Sequence, residues 1–424
     1  MSFIKKILTS QLFKISSLNS VSVLLRLFTG LITSKVIAIF VGPSGMVFIG
    51  NFRNFISTVE GVSTLAFTSG IVKYVGENDD NQKELARIIS TVFITFLVIA
   101  LILSSVIFLF SEFLCLYIFG NNFQFEIIFK VVAVVLPFNV VSVLFLSIIN
   151  GLGRYDKVIF ANIVGNIFGV LLSIVLIYNF QTIGAILSIA LIPALLFIVN
   201  FVFLPKELHF FKKISLRNYS IEIVKKLAVF SLMILPAMLL SPFFSLQTRN
   251  FLIENVGFHD SGFWEAISRI SSIYLMFVGT LVSVYFYPKL IKAKDRKETK
   301  GVFWNYYKSI IPVFIIGAIV VYFSRFLIIE ILFTSEFLPV SELFFWQLIA
   351  DILKVTGIIL AYQLLAKKIV LPYIIIELFS IFLLYSLSLY FIDLVGIQGV
   401  VIAQAINNFI YLLILVIYFR KSLF

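Results

Sequence analysis

Ten ionisable side chains interrupt segments of this sequence that are otherwise apolar. Six are cations and four are acids: Arg26, Lys35, Arg53, Arg249, Arg269 and Lys354, with Glu60, Glu265, Asp351 and Glu377. A charge held at the centre of a lipid bilayer costs at least about 2.5–3.5 kcal/mol. If these segments cross a membrane, each charge must lie in surroundings lined by protein or water. The set therefore predicts a polar chamber inside an apolar protein.

The elements that position these side chains are apolar runs of membrane-spanning length. The chain of 424 residues is 61% hydrophobic and 13% charged, with a mean hydropathy of +1.10. Runs of about 20 apolar residues cross the hydrocarbon core as helices, because lipid offers the backbone no hydrogen-bond partners. We predict an all-α integral membrane protein with twelve spans. They are placed at 15–40, 46–74, 88–110, 127–149, 158–178, 183–204, 227–254, 262–288, 304–326, 342–366, 370–392 and 398–419.

A long basic connection divides these spans into two sets of six. We predict an N-terminal lobe (1–204), a cytoplasmic linker (205–226) and a C-terminal lobe (227–424) around a central cavity. The lobes share a motif, since TSKVIAIFVGPSG precedes Arg53 and QTRNFLIENVGFHDSG precedes Arg269. FQTIGAILSIA also corresponds loosely to GIQGVVIAQA near the end of each lobe. Both lobes begin on the same side, so the predicted repeats are parallel, as in two-lobed transporters.

The distribution of Lys and Arg gives the orientation. Most of the 33 lie on one side, including the segments PKELHFFKKISLRNYSIEIVKK and KLIKAKDRKETK. The positive-inside rule therefore places both termini in the cytoplasm. The net charge of +12 is accounted for by these loops, which contact lipid headgroups, so no nucleic-acid partner is expected. The basic N-terminus, MSFIKKILTSQLFK, has no cleavage site after the first apolar run, and we expect that span to be retained.

The cations concentrate on spans one, two, seven and eight, which are the repeated pairs. Lys35, Arg53, Arg249 and Arg269 lie six to eight residues from an external turn, roughly 9–12 Å below it by helical rise. Glu60 alone cannot neutralise Arg26, Arg53 and Arg249 together. An excess of positive charge in lipid favours an anionic ligand, and arginine favours phosphate because its planar fork donates two parallel hydrogen bonds.

A purely structural role stays open for several of these residues. Glu265 and Arg269 are spaced to pair along one helix, and so are Asp351 and Lys354. Lys35 could extend its amine to the outer interface. The sequence offers little other chemistry. Its two histidines lie in loops on opposite sides, its one cysteine is Cys115, and it has no Walker-type phosphate loop. We therefore predict no metal site, no catalytic residues and no cofactor.

Short motifs in a fixed order carry a resemblance to a known family. They are FVGPSG (40–45), NFRN (51–54), VKYV (72–75), ALIPAL (190–195), GFWEAISRIS (262–271) and FWQLIADILKV (345–355). With two six-span lobes, the chain resembles the multidrug/oligosaccharidyl-lipid/polysaccharide exporter superfamily. More narrowly it is similar to the Wzx-type flippases of the lipid III (enterobacterial common antigen) and O-antigen branch.

The resemblance implies a transporter of the bacterial inner membrane, with no enzymatic activity. Its cargo would be an undecaprenyl-pyrophosphate-linked oligosaccharide, moved from the cytoplasmic to the periplasmic leaflet by alternating access. The cations proposed to bind the pyrophosphate are Arg26, Lys35, Arg53, Arg249 and Arg269. Residues that could couple or gate transport are Glu60, Glu265, Asp351 and Lys354, with protons or sodium as the coupling ion left open. Expected partners are membrane lipids and the polymerase and chain-length proteins of the same pathway.

Two other functions are weighed against this one. A cation-coupled multidrug exporter would share the architecture, but its site should be acidic and aromatic, whereas here the excess charge is positive. A polysaccharide polymerase would need a substantial external loop with convergent acid and base residues, and the sequence has no such loop.

Overall fold

The computed structural model describes residues 11–203 and 214–423, and all regular structure in these ranges is helical. The predicted linker 205–226 lies partly outside the described residues. The helices before it are α1 (Gln11–Phe40), α2 (Gly42–Ser63), α3 (Thr68–Glu77), α4 (Gln82–Leu109), α5 (Ser111–Phe119), α6 (Glu126–Gly151) and α7 (Tyr155–Phe203). Those after it are α8 (Ile221–Val256), α9 (Phe258–Leu281), α10 (Tyr287–Lys292), α11 (Arg296–Ser309), α12 (Ile311–Phe323), α13 (Arg325–Leu332), α14 (Phe344–Ala366), α15 (Val370–Val395) and α16 (Gln398–Leu423).

The helices fit the predicted all-α membrane protein. Eight described segments are long and apolar enough to cross a bilayer. One of them, Asp156–Val202, bends at Gln181 (φ 47°, ψ −121°) and so contains predicted spans five and six. The helices α1, α2 and α9 have the length of a span but carry charges, which lower their hydropathy. With these three, the helices agree with the twelve predicted spans.

Each half contains the same sequence of local features, which confirms the predicted repeat. Spans three and nine begin at side-chain caps: Asn81 accepts from the Glu84 amide at 3.2 Å, and Asp295 accepts from the Glu298 amide at 2.8 Å. A cap of this kind satisfies a backbone donor at the start of a helix. Each span is then followed by a short helix, α5 or α13, and a 3₁₀ turn, Phe123–Phe125 or Ser335–Glu342.

Glycines occupy matching turns in the two halves. Gly42 (φ +69°) and Gly257 (φ +90°) have the left-handed backbone that glycine tolerates, and they end α1 and α8. Gly184 and Gly399 each lie against a backbone carbonyl eight residues earlier, where a Cβ would be 1.9 Å and 2.2 Å from oxygen. Both positions therefore exclude side chains, and the weak similarity of FQTIGAILSIA to GIQGVVIAQA reflects this shared tight turn.

Spans two and eight are both interrupted. Between α2 and α3, Leu65 and Ala66 have positive φ, at 48° and 52°. Between α9 and α10, a π-helical turn, Val282–Phe286, replaces the regular hydrogen-bond pattern. Interruptions of this kind are tolerated in membrane helices where neighbouring protein groups satisfy the freed backbone. In the first case, the Ser231 hydroxyl donates to the carbonyl of Leu65.

The described residues form two compact units. The first comprises those up to Val36 together with Asn51–Leu235, and the second comprises Ile37–Gly50 and those from Pro236 onwards. The segment Ile37–Gly50 belongs to the second unit through close backbone packing. A Cβ on Gly262 would lie 2.0 Å from the carbonyl oxygen of Pro43, so the two helices α2 and α9 meet there without an intervening side chain.

Candidate functional site

Arg249 of α8, one of the cations that sequence analysis proposed, is buried and held by several contacts. Its Nη2 lies 3.2 Å from Oε2 of Glu265, and its Nη1 donates to the carbonyl oxygen of Val47 at 3.1 Å. The guanidinium also lies over the ring of Trp264, 5.0 Å from the centroid. Gly50 leaves room for it, because a Cβ there would be 1.6 Å from Nη1. Arg249 is thus fixed on several sides within the second unit.

The ion pair of Arg249 gives Glu265 a partner that sequence analysis did not propose. The spacing on α9 favoured Arg269, and the ion pair joins Glu265 to α8 as well, across the turn at Gly257. The paired side chains are only 4% and 7% exposed. Two charges so deeply buried must compensate each other, since leaving either one alone incurs the desolvation penalty. Arg269, one turn further along α9, is buried as well.

The other three proposed cations belong to the first unit and are more accessible. Arg26 is exposed on α1 and forms no ion pair with a described residue. Lys35 and Arg53 are partly buried, on α1 and α2. The five cations are therefore divided, with three in the first unit and two in the second. That they share one chamber stays a prediction.

Glu60 of α2 faces a small polar site within the first unit. Nδ2 of Asn139, on α6, donates to its Oε1 at 2.9 Å. A cavity of about 20 Å³ adjoins the pair and is bounded by Pro193 and Ala190 of α7. This volume suffices for one water molecule. The carboxylate thus has one neutral partner and space for one water molecule beside it, which would suit a bound proton.

Asp351 of α14 is fully buried and saturated with donors in the second unit. It accepts from the Ser271 hydroxyl at 2.8 Å, the Tyr274 hydroxyl at 2.5 Å and Nε2 of Gln347 at 3.1 Å. The predicted local pairing with Lys354 is not formed, because Lys354 is exposed and makes no ion pair with a described residue. These three hydrogen-bond donors stabilise the Asp351 carboxylate, which was the role expected of Lys354. Sequence analysis did not predict these donors, because two of the three lie on another helix.

Two further polar arrangements were not predicted. The Tyr411 hydroxyl donates to Oε1 of Glu377 at 2.6 Å, joining α16 to α15. A second cavity, of about 170 Å³, lies among α8, α9, α15 and α16 and is lined by hydroxyl and amide side chains together with apolar and aromatic ones. The signal that could have located it is the spacing of Ser241, Ser245 and Thr248 along one face of α8. In the described part of the chain, no group of His, Cys, Asp or Glu is arranged to hold a metal ion.

The fold and its polar spans define a class of membrane transporter. Along 95% of its length, the chain superposes on 94% of the inward-facing structure of a multidrug resistance MATE family transporter of the MOP superfamily, with a TM-score of 0.74 at 14% identity. It also superposes, over 99% of its length and 97% of the other, on a MOP superfamily transporter from Pyrococcus furiosus described by the reverse polarity of its binding pocket. The TM-score is 0.73 at 15% identity. At such identity these likenesses concern the fold.

The chain belongs to the family of polysaccharide biosynthesis proteins, whose model matches residues 52–342. It is 27% identical over 404 residues to the lipid III flippase of Escherichia coli strain K12, covering 94% of this chain and 96% of that protein. The lipid III flippase of Shigella flexneri is similar to the same extent. The resemblance predicted from the short ordered motifs is confirmed.

Proposed function

We propose that this protein is a flippase that translocates a lipid-linked oligosaccharide across the bacterial inner membrane. The observation that carries the proposal is the similarity to lipid III flippases along nearly the whole chain. The family of polysaccharide biosynthesis proteins and the transporter fold agree with it. In the finer form of the proposal, the lipid is undecaprenyl pyrophosphate, and the two lobes expose it in turn to the cytoplasmic and periplasmic leaflets.

The cations of the first unit are the main candidates for binding the pyrophosphate. Arg26, Lys35 and Arg53 are accessible or partly buried, whereas Arg249 is already neutralised by Glu265. An arginine in a polar site within the membrane binds phosphoryl oxygens through charge-assisted hydrogen bonds. We assign Arg249 and Arg269 a supporting electrostatic role in the second unit.

The membrane potential favours export of such a cargo. An anion leaving a negative-inside cell gains about 2.3 kcal/mol per charge per 100 mV, or about 5 kcal/mol for two phosphate charges. Coupling to protons or sodium is proposed only as an addition, with Glu60 as the first candidate because one neutral amide and a small cavity surround it. Asp351, saturated by three donors, is the second. No organic cofactor is proposed.

Orientation and partners follow from the same proposal. Both termini would lie in the cytoplasm, in keeping with the basic loops on that side. The flipped lipid-linked glycan would pass to a polymerase and a chain-length protein. The experiment that tests the function is deletion of the gene followed by mass spectrometry of the lipid-linked oligosaccharides. We expect one to accumulate on the cytoplasmic side and to be cleared when the wild-type gene is restored. An unchanged lipid profile would refute the proposal.

A second candidate, multidrug export, is favoured by the fold neighbours. Structures of multidrug resistance transporters superpose on almost the entire chain. Drug resistance profiles in a strain without its own exporters distinguish the two functions. An exporter would raise the tolerated concentration of cationic drugs, while a flippase would leave it unchanged and would restore glycan export.

A further inference from the structure

The cavity among α8, α9, α15 and α16 has an unusual surplus of polar groups. Six polar side chains that line it make no hydrogen bond to a described residue: Ser241, Thr248, Trp264, Ser268, Ser388 and Gln404. Thr248 and Ser388 are more than nine-tenths buried, at 5% and 1% exposure. None of the polar atoms of these six side chains is fully enclosed without a partner, because they line the cavity. They can therefore form hydrogen bonds with a molecule that occupies it.

Other hydroxyls in the spans form a hydrogen bond within their own helix that these groups lack. Ser34, Thr95 and Thr280 each donate to a carbonyl four residues earlier in their own helix, at 2.7–2.8 Å. This local bond is the usual way for serine and threonine to satisfy themselves within a helix. Thr248 and Ser388 lie in helices of the same kind and do not form it. Their hydroxyls therefore remain available to the cavity.

The lining restricts the chemistry of the occupant. It includes no charged side chain, and the neighbouring Arg249 is occupied by Glu265. An anion or a cation would find no counter-charge among the lining residues, and an acyl chain would leave the hydroxyls unmatched. The aromatic rings of Trp264, Tyr385 and Phe244 supply apolar faces beside these polar groups. Flat apolar faces beside hydroxyl, amide and indole groups match a neutral polyhydroxylated ring.

The size of the cavity limits the ligand to a small unit. Its volume of about 170 Å³ is many times the roughly 10–15 Å³ that one water molecule needs. That space suits one sugar ring better than a complete oligosaccharide. We propose that this cavity is a subsite for a single neutral sugar of the cargo, bound through its hydroxyls and its apolar ring face. The proposal rests on the proposed function. It implies that the second unit recognises the glycan.

Trp264 provides a direct test, because it lies in the cavity while the other two tryptophans do not. A full-length protein carrying Trp304→Phe and Trp346→Phe would report on Trp264 alone. In nanodiscs it would be titrated with methyl glycosides of glucose, galactose, N-acetylglucosamine and rhamnose, and with inorganic pyrophosphate. We expect at least one glycoside to change the Trp264 emission saturably, and pyrophosphate to have no such effect.

Matched variants then connect the signal to the cavity. Thr248→Val combined with Gln404→Leu keeps the shape of the lining and removes two polar groups, and we expect the apparent affinity to fall at least tenfold. Thr280→Val removes a hydroxyl that bonds its own helix and should leave the affinity unchanged. The subsite is refuted if no glycoside gives a saturable change, if the double variant binds as the parent does, or if pyrophosphate alone produces the signal.

A separate measurement keeps the subsite and the function apart. The wild-type gene would be placed in strains that lack a flippase and make different lipid-linked glycans. Failure to restore export in all of them would refute the flippase, whatever the sugars do to Trp264. If export is restored but no glycoside changes the Trp264 emission, the subsite is refuted and the flippase function is not. Restoration by the Thr248→Val, Gln404→Leu variant with unaltered preference among glycans would also refute the subsite.

Discussion

The ionisable side chains of the spans have different surroundings in the two units, and those that are fully buried, Arg249, Glu265, Arg269 and Asp351, belong to the second. In the second, Arg249 and Glu265 neutralise each other, and Asp351 receives three hydrogen bonds. In the first, Glu60 has a single amide partner from Asn139, and Arg26 is exposed. A saturated group is a fixed part of the structure, whereas a group with spare capacity can take up a ligand or a proton. The comparison fits our proposal that the first unit binds charge and that the charges of the second unit are structural.

The largest expected effect tests the rigidity of the second unit. Glu265→Gln leaves the Arg249 charge buried without its carboxylate, which costs about 3–5 kcal/mol of folding free energy. We expect little folded protein when a fluorescent fusion is analysed by size-exclusion chromatography. Adding Arg249→Met removes the orphaned charge and should recover most of the folded peak.

An exposed ion pair serves as the control for that prediction. Glu126 and Lys130 lie 2.7 Å apart but are 30% and 40% exposed. Exposed pairs contribute only about 0–1 kcal/mol, so Glu126→Gln should leave the folded peak almost unchanged. Equal stability of Glu265→Gln and Glu126→Gln would contradict the distinction between fixed and available charges.

The second effect concerns charge binding in the first unit. Arg53→Ala removes a proposed phosphate contact, and a charge-assisted hydrogen bond contributes about 1.5–3 kcal/mol. We expect transport to fall by about ten- to a hundredfold while the amount of inserted protein stays normal, measured as export of lipid-linked glycan in a flippase-deficient strain. Lys130→Ala removes a cation that pairs with Glu126 and should transport as the wild type does. Full export by Arg53→Ala would remove Arg53 from the site.

A third prediction concerns the space beside Arg249. Gly50→Ala would place a methyl group 1.6 Å from Nη1, so the guanidinium would have to leave its partners. Overpacking of this kind costs about 1–3 kcal/mol. The matched control is Gly30→Ala, because a Cβ at Gly30 would meet nothing within 4 Å. We expect Gly50→Ala to lower the thermal midpoint and Gly30→Ala to keep or raise it. The same midpoint for both would mean that Arg249 moves freely.

The smallest effect is expected from an exposed histidine in the second unit. His259 lies in the first turn of α9, ahead of predicted span eight, with Nδ1 2.9 Å from Asp260 and Nε2 3.0 Å from Glu336. Hydrogen bonds to these two carboxylates, Asp260 first, raise the pKa of His259. The folded state therefore binds the proton more tightly than the unfolded chain, whose histidine titrates at about 6.5. This stabilisation is fully present below that pH and is lost as pH rises through the raised pKa.

The measurement compares wild type with His259→Gln across pH 5.5 to 8.5 by thermal unfolding. The side chain is about half exposed, so we expect a contribution below about 1 kcal/mol. The midpoints should differ at the acidic end and converge at the basic end. A difference that grows towards basic pH would have the wrong sign for this assignment.

The fold was predictable from the sequence because its dominant signal is local. Apolar runs of the right length give spans, and basic loops predict an orientation. The tight turns at Gly184 and Gly399 leave a visible trace in matching glycines. The all-α fold with repeated halves follows from such short-range patterns.

The pairing of the charges was not predictable in the same way. Spacing along one helix favoured Arg269 for Glu265 and Lys354 for Asp351, but it did not indicate the partners on a neighbouring helix, Arg249 for Glu265 and the Ser271 and Tyr274 hydroxyls for Asp351. Helical spacing identifies residues that can meet locally and contains no information on which faces of two helices meet. The hydroxyl-lined cavity was missed for a related reason, since four helices contribute to it.

The space that Gly50 leaves for the guanidinium of Arg249 limits which substitutions this sequence can accept during evolution. A glycine in a helix is usually replaceable by alanine. Here a side chain at position 50 would collide with Arg249, so these two positions, 199 residues apart, must change together. Among descendants of this gene, we expect any side chain at position 50 to accompany the loss of arginine at 249. Covariation between these two columns would then record an interhelical contact that neither position reveals alone.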